Sequence, residues 1–325
     1  VTLHPSRGTT KLNQIRVPNP YFEKDNNSYL LDVGELILID TGIDTPEAFS
    51  TLRASVEAAG HKLGEISKIF LTHKHLDHFG LAHRIAKISG AKVYIHQDDH
   101  LDVTRFDERH DTINNLYEQK MRDWGIPQNL IDMLSMRSRL MKLGRSIPAI
   151  SLRDNERISV GAGELLVIHT PGHTQGSACF LVNDLLFAGD HLLPTYTPNI
   201  GATEVTSNGM LRKYRVSLHK IEKLNDIRVL PGHGDEILNP GERIQEILDH
   251  HKEREARILE ILRDGRAKSV FEIAQGLFGN LREHHVLLGS GEVHAHLEGL
   301  LDEKQVDVHN NQYHSSAPTV SRQDI

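Results

Sequence analysis

At 325 residues, 38% of them hydrophobic, the chain is long enough to bury a sizeable core in one large domain plus a small one. Its net charge of −7 and pI near 6.3 argue against indiscriminate binding to nucleic acid or to an anionic membrane, since both are polyanions. A single cysteine, Cys179, excludes an intrachain disulfide framework; with no signal-peptide pattern and no apolar run of about 18 residues, a soluble cytoplasmic protein is expected.

Residues 1 to 26 are polar and punctuated by Pro5, Pro18 and Pro20, and read as an arm with one edge strand around Leu12 to Val17. Two short apolar runs, 28 to 33 and 35 to 39, separated by Gly34, predict a β-hairpin that closes at Asp40-Thr41-Gly42. An aspartate at the end of a buried strand needs donors or a cation, so Asp40 is either an outer partner of a nearby site or a turn residue serving local amides. An amphipathic helix follows over 46 to 60, started by Pro46 and ended at Gly60.

The strand Ile66 to Leu71 delivers Thr72-His73-Lys74-His75-Leu76-Asp77-His78, after which Leu81, Ile85 and Ile88 mark a helix. In extended backbone, residues two apart point the same way, so His73 and His75 face one point. Asp77 and His78 fall where the helix begins and turn a carboxylate and a third imidazole toward an adjacent point, a geometry suited to two metal ions side by side. A merely solvated histidine turn is the bland alternative, and three histidines with an aspartate at this spacing weigh against it.

Val93 to Ile95 is the next strand, giving the β-then-α alternation of a layered α/β domain. Residues 98 to 147 interrupt that rhythm as a helical insertion in two blocks separated by Gly125 and Pro127; its apolar stripe, Met141 included, suits a lid over the site, a homodimer contact or plain core. Strands return at 158 to 160 and 165 to 168, the second running into His169-Thr170-Pro171-Gly172-His173-Thr174. The Pro-Gly turn presents His173 as a third ligand to the first metal, while His169 is expected to bond its own surroundings. Strands 178 to 182 and 185 to 188 end in Gly189-Asp190-His191, where Asp190 can bridge two cations and His191 is a weaker outer candidate. Val229-Leu230 then leads into Pro231-Gly232-His233-Gly234, and His233 completes the set.

Together these four strand-end motifs resemble the metallo-β-lactamase superfamily, and the match spans roughly residues 28 to 235. The resemblance implies a four-layer αβ/βα sandwich, one metal on His73, His75 and His173, a second on Asp77, His78 and His233, and Asp190 between them. The aspartate at 190 is similar to glyoxalase II, ribonuclease Z and lactonases. The run from Asp190 to Ile200 together with a helical tail looks most like the lactamase-beta-like hydrolases with a C-terminal winged helix. The expected organisation is a catalytic domain over 1–239, a winged-helix-like domain over 240–309 and a disordered tail over 310–325, with helices at 242 to 262, 270 to 277 and 292 to 303 and a strand at 306 to 308. From residue 242 onward ten Lys and Arg stand against fifteen Asp and Glu, and the expected recognition helix carries Glu292, Glu298, Asp302 and Glu303, so a structural or dimerising role is preferred to nucleic-acid binding.

The expected chemistry is hydrolysis by a metal-bridging hydroxide, with Asp77 taking the water's proton. Two divalent cations are implied, zinc first, with manganese or iron compatible with the donor set. The expected substrate is a small ester, thioester or lactone; the alternatives are a phosphodiesterase or endoribonuclease, and a nucleic-acid-binding or scaffold protein with a vestigial site. Tyr196 could donate to an oxyanion, although a packed tyrosine is the simpler reading.

Overall fold

The computed structural model describes residues 10–21, 25–140 and 143–316, so residues 1–9 and 22–24 of the expected N-terminal arm, Met141 of the insertion stripe, and 317–325 of the expected tail lie outside the described residues. Cα clustering divides the chain into two compact units: residues 1–109, 142–198 and 216–244 form one, and 110–141, 199–215 and 245–325 the other.

The first unit holds two facing sheets. Strands β1 (Lys11–Val17), β2 (Asn26–Asp32), β3 (Leu36–Ile39), β4 (Ile66–Leu71), β5 (Lys92–His96) and β6 (Ile150–Leu152) form a six-stranded sheet in sequence order. The first three are antiparallel, whereas β3 to β6 run parallel, because helices rather than hairpins connect them. The second sheet contains β7 (Arg157–Val160), β8 (Gly163–His169), β9 (Ala178–Val182), β10 (Leu185–Gly189) and β11 (Arg228–Pro231), in spatial order β11-β10-β9-β8-β7. Period-2 alternation sends Tyr29, Leu31, Ile37, Ile39 and Phe70 from one sheet against Val167, Phe180, Val182 and Phe187 from the other, all in one buried cluster. The Phe70 and Phe180 rings meet edge-on at 5.6 Å.

On the first sheet's outer side, helix α1 (Pro46–Ala58) starts at an N-cap, Thr45, whose hydroxyl accepts from Ala48 N, and it buries Ala48, Leu52 and Val56 along one stripe. The helical continuation after β4 comes as α2 (Leu76–Phe79) and α3 (Ala82–Ser89), and at Gly80 between them a Cβ would lie 2.7 Å from Leu143 O and 2.8 Å from Asp44 N. Helix α4 (Gln97–Thr104) follows β5.

The second unit is mainly helical. It contains most of α5 (Phe106–Asp123), all of α6 (Gln128–Leu140), the larger part of α8 (Pro240–Ile261), then α9 (Val270–Phe278), α10 (His284–Asp302) and a hairpin of β12 (Val306–His309) and β13 (Gln312–Ser315). The intervening α7 (Met210–Glu222), which sequence reasoning missed, crosses the boundary between units.

The structure departs from the sequence-based domain bounds in the insertion, the tail and α10. Residues 110–140 of the insertion group with the C-terminal residues, because Met121, Trp124, Ile126 and Ile131 bury their side chains with Ile258, Phe271, Val293 and Leu297. Their apolar stripe is core. The segment 310–316, expected to be disordered, contains the return strand β13, whose Tyr313 joins that core and exchanges backbone hydrogen bonds with Lys268. Helix α10 begins at His284 rather than near 292, and Glu292, expected on an exposed acidic face, is 3% exposed and paired with Arg254. No helix among the described residues is long and apolar enough to cross a membrane.

Candidate metal centre

Four strand ends supply the site, and their pairing explains why residues so far apart meet. Strands β10 and β11 are parallel, and β8 and β10 are both antiparallel to β9, so β8, β10 and β11 all end at one edge. Gly232 N donates to Gly189 O, setting the residues before His233 beside those before Asp190. From the facing sheet, the loop after β4 is tied in by Ala178 N donating to Thr72 O. A Cβ on Gly232 would lie 2.4 Å from Asp190 Oδ1 and 2.8 Å from His78 Cε1, so only glycine lets this turn approach.

All seven residues proposed from the sequence come together. His75 Nδ1 lies 3.0 Å from His73 Nε2 and 2.9 Å from His173 Nε2. In the adjacent group, Asp77 Oδ2 lies 3.9 Å from His78 Nε2 and 3.6 Å from His233 Nε2. Asp190 reaches both groups, at 3.6 Å from His173, 3.4 Å from His78 and 3.5 Å from His233. Donors held about 2.0 to 2.2 Å from one tetrahedral cation are spaced about 3.3 to 3.6 Å from each other; the Asp190 contacts and the Asp77–His233 pair match that spacing, while His75 stands closer to its two neighbours and Asp77 farther from His78.

The electrostatics point the same way. Burial first, then crowding by neighbouring imidazoles, pushes His73 and His75 well below the ordinary histidine range, which leaves their rings neutral with lone pairs to give. Burial works against the charge of Asp77 and Asp190, yet His78 and His233 outweigh it and hold both carboxyls low. Conversely, burial disfavours a proton on His78 and His233, but the carboxylates prevail: His78 rises well above its usual value and His233 to about 10. The protons on these two rings supply positive charge that cations would otherwise bring. Asp190 Oδ1, fully enclosed, makes no hydrogen bond even with His78 Nε2 at 3.4 Å, as expected of an oxygen shaped for a metal. The donor set fits two divalent cations.

The outer candidates separate clearly. Asp40, in a left-handed backbone conformation at φ 53°, accepts from Thr72 N at 2.8 Å and Thr72 Oγ1 at 2.7 Å and lies 2.8 Å from His78 Nδ1. It therefore fixes the ring of a proposed ligand. His191 is buried, which lowers it to about 3. Tyr196 is partly buried in the loop after Asp190. His169 Nε2 lies 2.9 Å from Gln175 O, serving its own loop.

Sequence reasoning missed Asn26 and Asn19. Asn26 Nδ2 donates to Asp77 Oδ2 at 3.0 Å and lies 3.3 Å from His233 Nε2, while Asn19 Nδ2 donates to Asn26 Oδ1 at 2.8 Å. The available signal was a polar Asn26-Asn27-Ser28 run opening an otherwise apolar strand, all three of it buried.

Among the described residues, two other clusters place His with Asp or Glu at ligand-like spacing, and chemistry separates them from this centre. His96 and His169 stack with ring centroids 3.8 Å apart and planes 12° from parallel, so their in-plane lone pairs do not converge on one point. Around His251, Glu292 and His296, Arg254 already pairs with Glu292 and Arg215 with Glu255, which contacts His296. A divalent cation there would add buried charge with no anion left to balance it.

A two-sheet sandwich whose strand ends converge on His and Asp defines a class, and the sequence agrees with it. The chain belongs to the metallo-beta-lactamase superfamily, whose family model matches residues 22–233. It is 27% identical over 308 residues to the probable metallo-hydrolase YqjP of Bacillus subtilis, covering 90% of this chain and 92% of that one. It is 26% identical to a beta-lactamase-like protein 2 homolog of Caenorhabditis elegans over 81% of this chain and 74% of that one. Among solved structures, a metallo-beta-lactamase family protein of Thermus thermophilus superposes with a TM-score of 0.80 at 28% identity, covering 94% of this chain and 98% of that one.

Proposed function

We propose that the protein is a hydrolase that uses two divalent cations, zinc first, on a small ester, thioester or lactone. The observation that carries this reading is Asp190: one carboxylate lies within 3.6 Å of imidazoles from both His73-His75-His173 and Asp77-His78-His233. Cations held by these two sets would lower the pKa of a shared water toward about 7 and polarise the bond to be cleaved.

The protein's own groups orient that chemistry. Asn26 pins Asp77 Oδ2, which keeps the carboxylate facing the site, where it takes the attacking water's proton. Asp40 holds His78 by its far nitrogen, so the other nitrogen points inward. Burial of His73 and His75 keeps both rings neutral across the physiological range. The net charge of −7 favours a small substrate over RNA. The order α8, α9, α10 and a β12–β13 hairpin supports a winged-helix kinship for the C-terminal residues, with a structural or dimerising role there.

The test is a panel of acyl thioesters, lactones, a generic phosphodiester and single-stranded RNA, each with zinc-loaded and chelator-stripped protein. Metal-dependent turnover of an ester, thioester or lactone is expected. Metal-dependent cleavage of RNA alone would overturn the substrate assignment.

A further inference from the structure

Asp40 touches His78 directly and reaches His73 through Thr72, and a second buried carboxylate bonds both loops that carry His73, His75 and His173. Asp99 stands in the first turn of α4, remote in sequence from every ligand, with 0% of its surface exposed. Its Oδ2 accepts from Lys74 N at 3.0 Å and from Thr174 Oγ1 at 2.7 Å, and its Oδ1 accepts from Gly176 N at 2.9 Å. Lys74 sits between His73 and His75, and Thr174 follows His173. One carboxylate therefore spans the two loops that carry all three histidines of a single triad.

The loops are shaped for this contact. A Cβ on Gly176 would lie 2.5 Å from Asp99 Cγ and 2.5 Å from Asp99 N, so the chain at 176 can pass only as glycine. Thr174 is set by Ser177, whose Oγ accepts from Thr174 N at 3.0 Å and lies 2.8 Å from Thr174 Oγ1. Burial pushes the Asp99 carboxyl up, against the Lys74 charge and the donors from Thr174, Gly176 and Lys74. An anion is kept in the interior where hydrogen bonds aimed at it offset the desolvation.

We propose that Asp99 is a positioning residue for the cation held by His73, His75 and His173, and that it acts on that cation and not on its neighbour. The assignment rests on the two-cation reading above. It predicts asymmetry: loosening Asp99 frees the 73–75 loop from the 173 loop, whereas Asp77, His78 and His233 keep their own anchors in Asp40 and Asn26.

The experiment is a zinc titration of metal-stripped, full-length protein against a chromophoric chelator, with wild type expected to show two binding steps. Asp99→Ala should weaken one step about 10- to 100-fold, the range for an outer partner of a metal ligand, and leave the other unchanged. That step is identified as the one lost in His173→Ala and kept in His233→Ala. Asp99→Asn retains an oxygen for Lys74 and Thr174 but sets its NH2 against Gly176 N–H, so it should fall between wild type and the alanine variant. Thr174→Val removes the hydroxyl that bonds Asp99 and meets Ser177 Oγ, should weaken the same step several-fold, and decides the matter if Asp99→Ala does not fold. Wild-type affinity at both steps in the folded variants, or equal weakening of both, would overturn the role of Asp99. Wild-type protein that takes up no zinc would instead overturn the two-cation reading, and this assignment with it.

Discussion

Asp190 and Asp40 are both buried carboxylates beside imidazoles, and their replacement should not have equal effects. Asp190→Ala removes a group that faces both triads, so metal content should fall together with turnover, and the rate by more than about 100-fold, beyond the range of an outer partner. A variant that kept two metals and full activity would contradict its placement between them. Asp40→Ala leaves His78 Nδ1 and the Thr72 amide without their acceptor, so metal affinity should fall about 10- to 100-fold. Elemental analysis after gel filtration, with kinetics on the same sample, checks both. His73, His75, Asp77, His78, His173, Asp190 and His233 were legible because each follows a strand end in a short motif. Asn26 and Asp99 were not, because each lies in a polar run whose spacing names no partner, and only packing reveals what it touches.

Element by element, the helices carry their own stop and start signals, and α9 gives the clearest test. Ser269 caps it, with its hydroxyl accepting from Glu272 N at 3.2 Å and the Glu272 carboxylate accepting from Ser269 N at 2.8 Å. Ser269→Ala should lower stability by about 1 kcal/mol, read as a shift in the urea midpoint at unchanged slope. Trp124→Ala, in the segment between α5 and α6, should cost about 3 to 5 kcal/mol, since its side chain belongs to the core formed by α8 to α10. Had the insertion been a lid resting on no core, that substitution would be nearly silent in stability. The two helical blocks were visible from Gly125 and Pro127, but their destination was not: an apolar stripe states that it will be buried and leaves open against what.

For the whole molecule, cations that bind only the folded chain must raise its stability. Chelation should therefore lower the thermal midpoint and zinc should restore it in a concentration-dependent way, checked by calorimetry. Acid should destabilise the second unit through two groups of the same sign. Burial lowers His251 to about 3, so its contribution is complete above its ordinary value near 6.5 and is lost as pH falls through that window. Glu292 is penalised by burial but held to about 2 by His296 and Arg254, so its contribution is complete above about 4.5 and is lost as pH falls toward 2. His251→Gln should flatten the decline between pH 6.5 and 4 in a thermal-melt series, and an unchanged decline would remove His251 from the account.

What the sequence alone determined about this protein is local: where strands end, which histidines and aspartates stand at those ends, and that an apolar α/β core surrounds them. Such features depend on residues within a turn or two of each other, where backbone geometry and hydrophobic period act directly. The grouping of Trp124 and Ile131 with the C-terminal helices, the burial of Glu292 beside Arg254, the return of residues 312–315 as a strand, and the joining of the 74 and 174 loops through Asp99 were decided only in three dimensions. Each depends on a partner far along the chain, and no local pattern encodes which distant surface a side chain will meet.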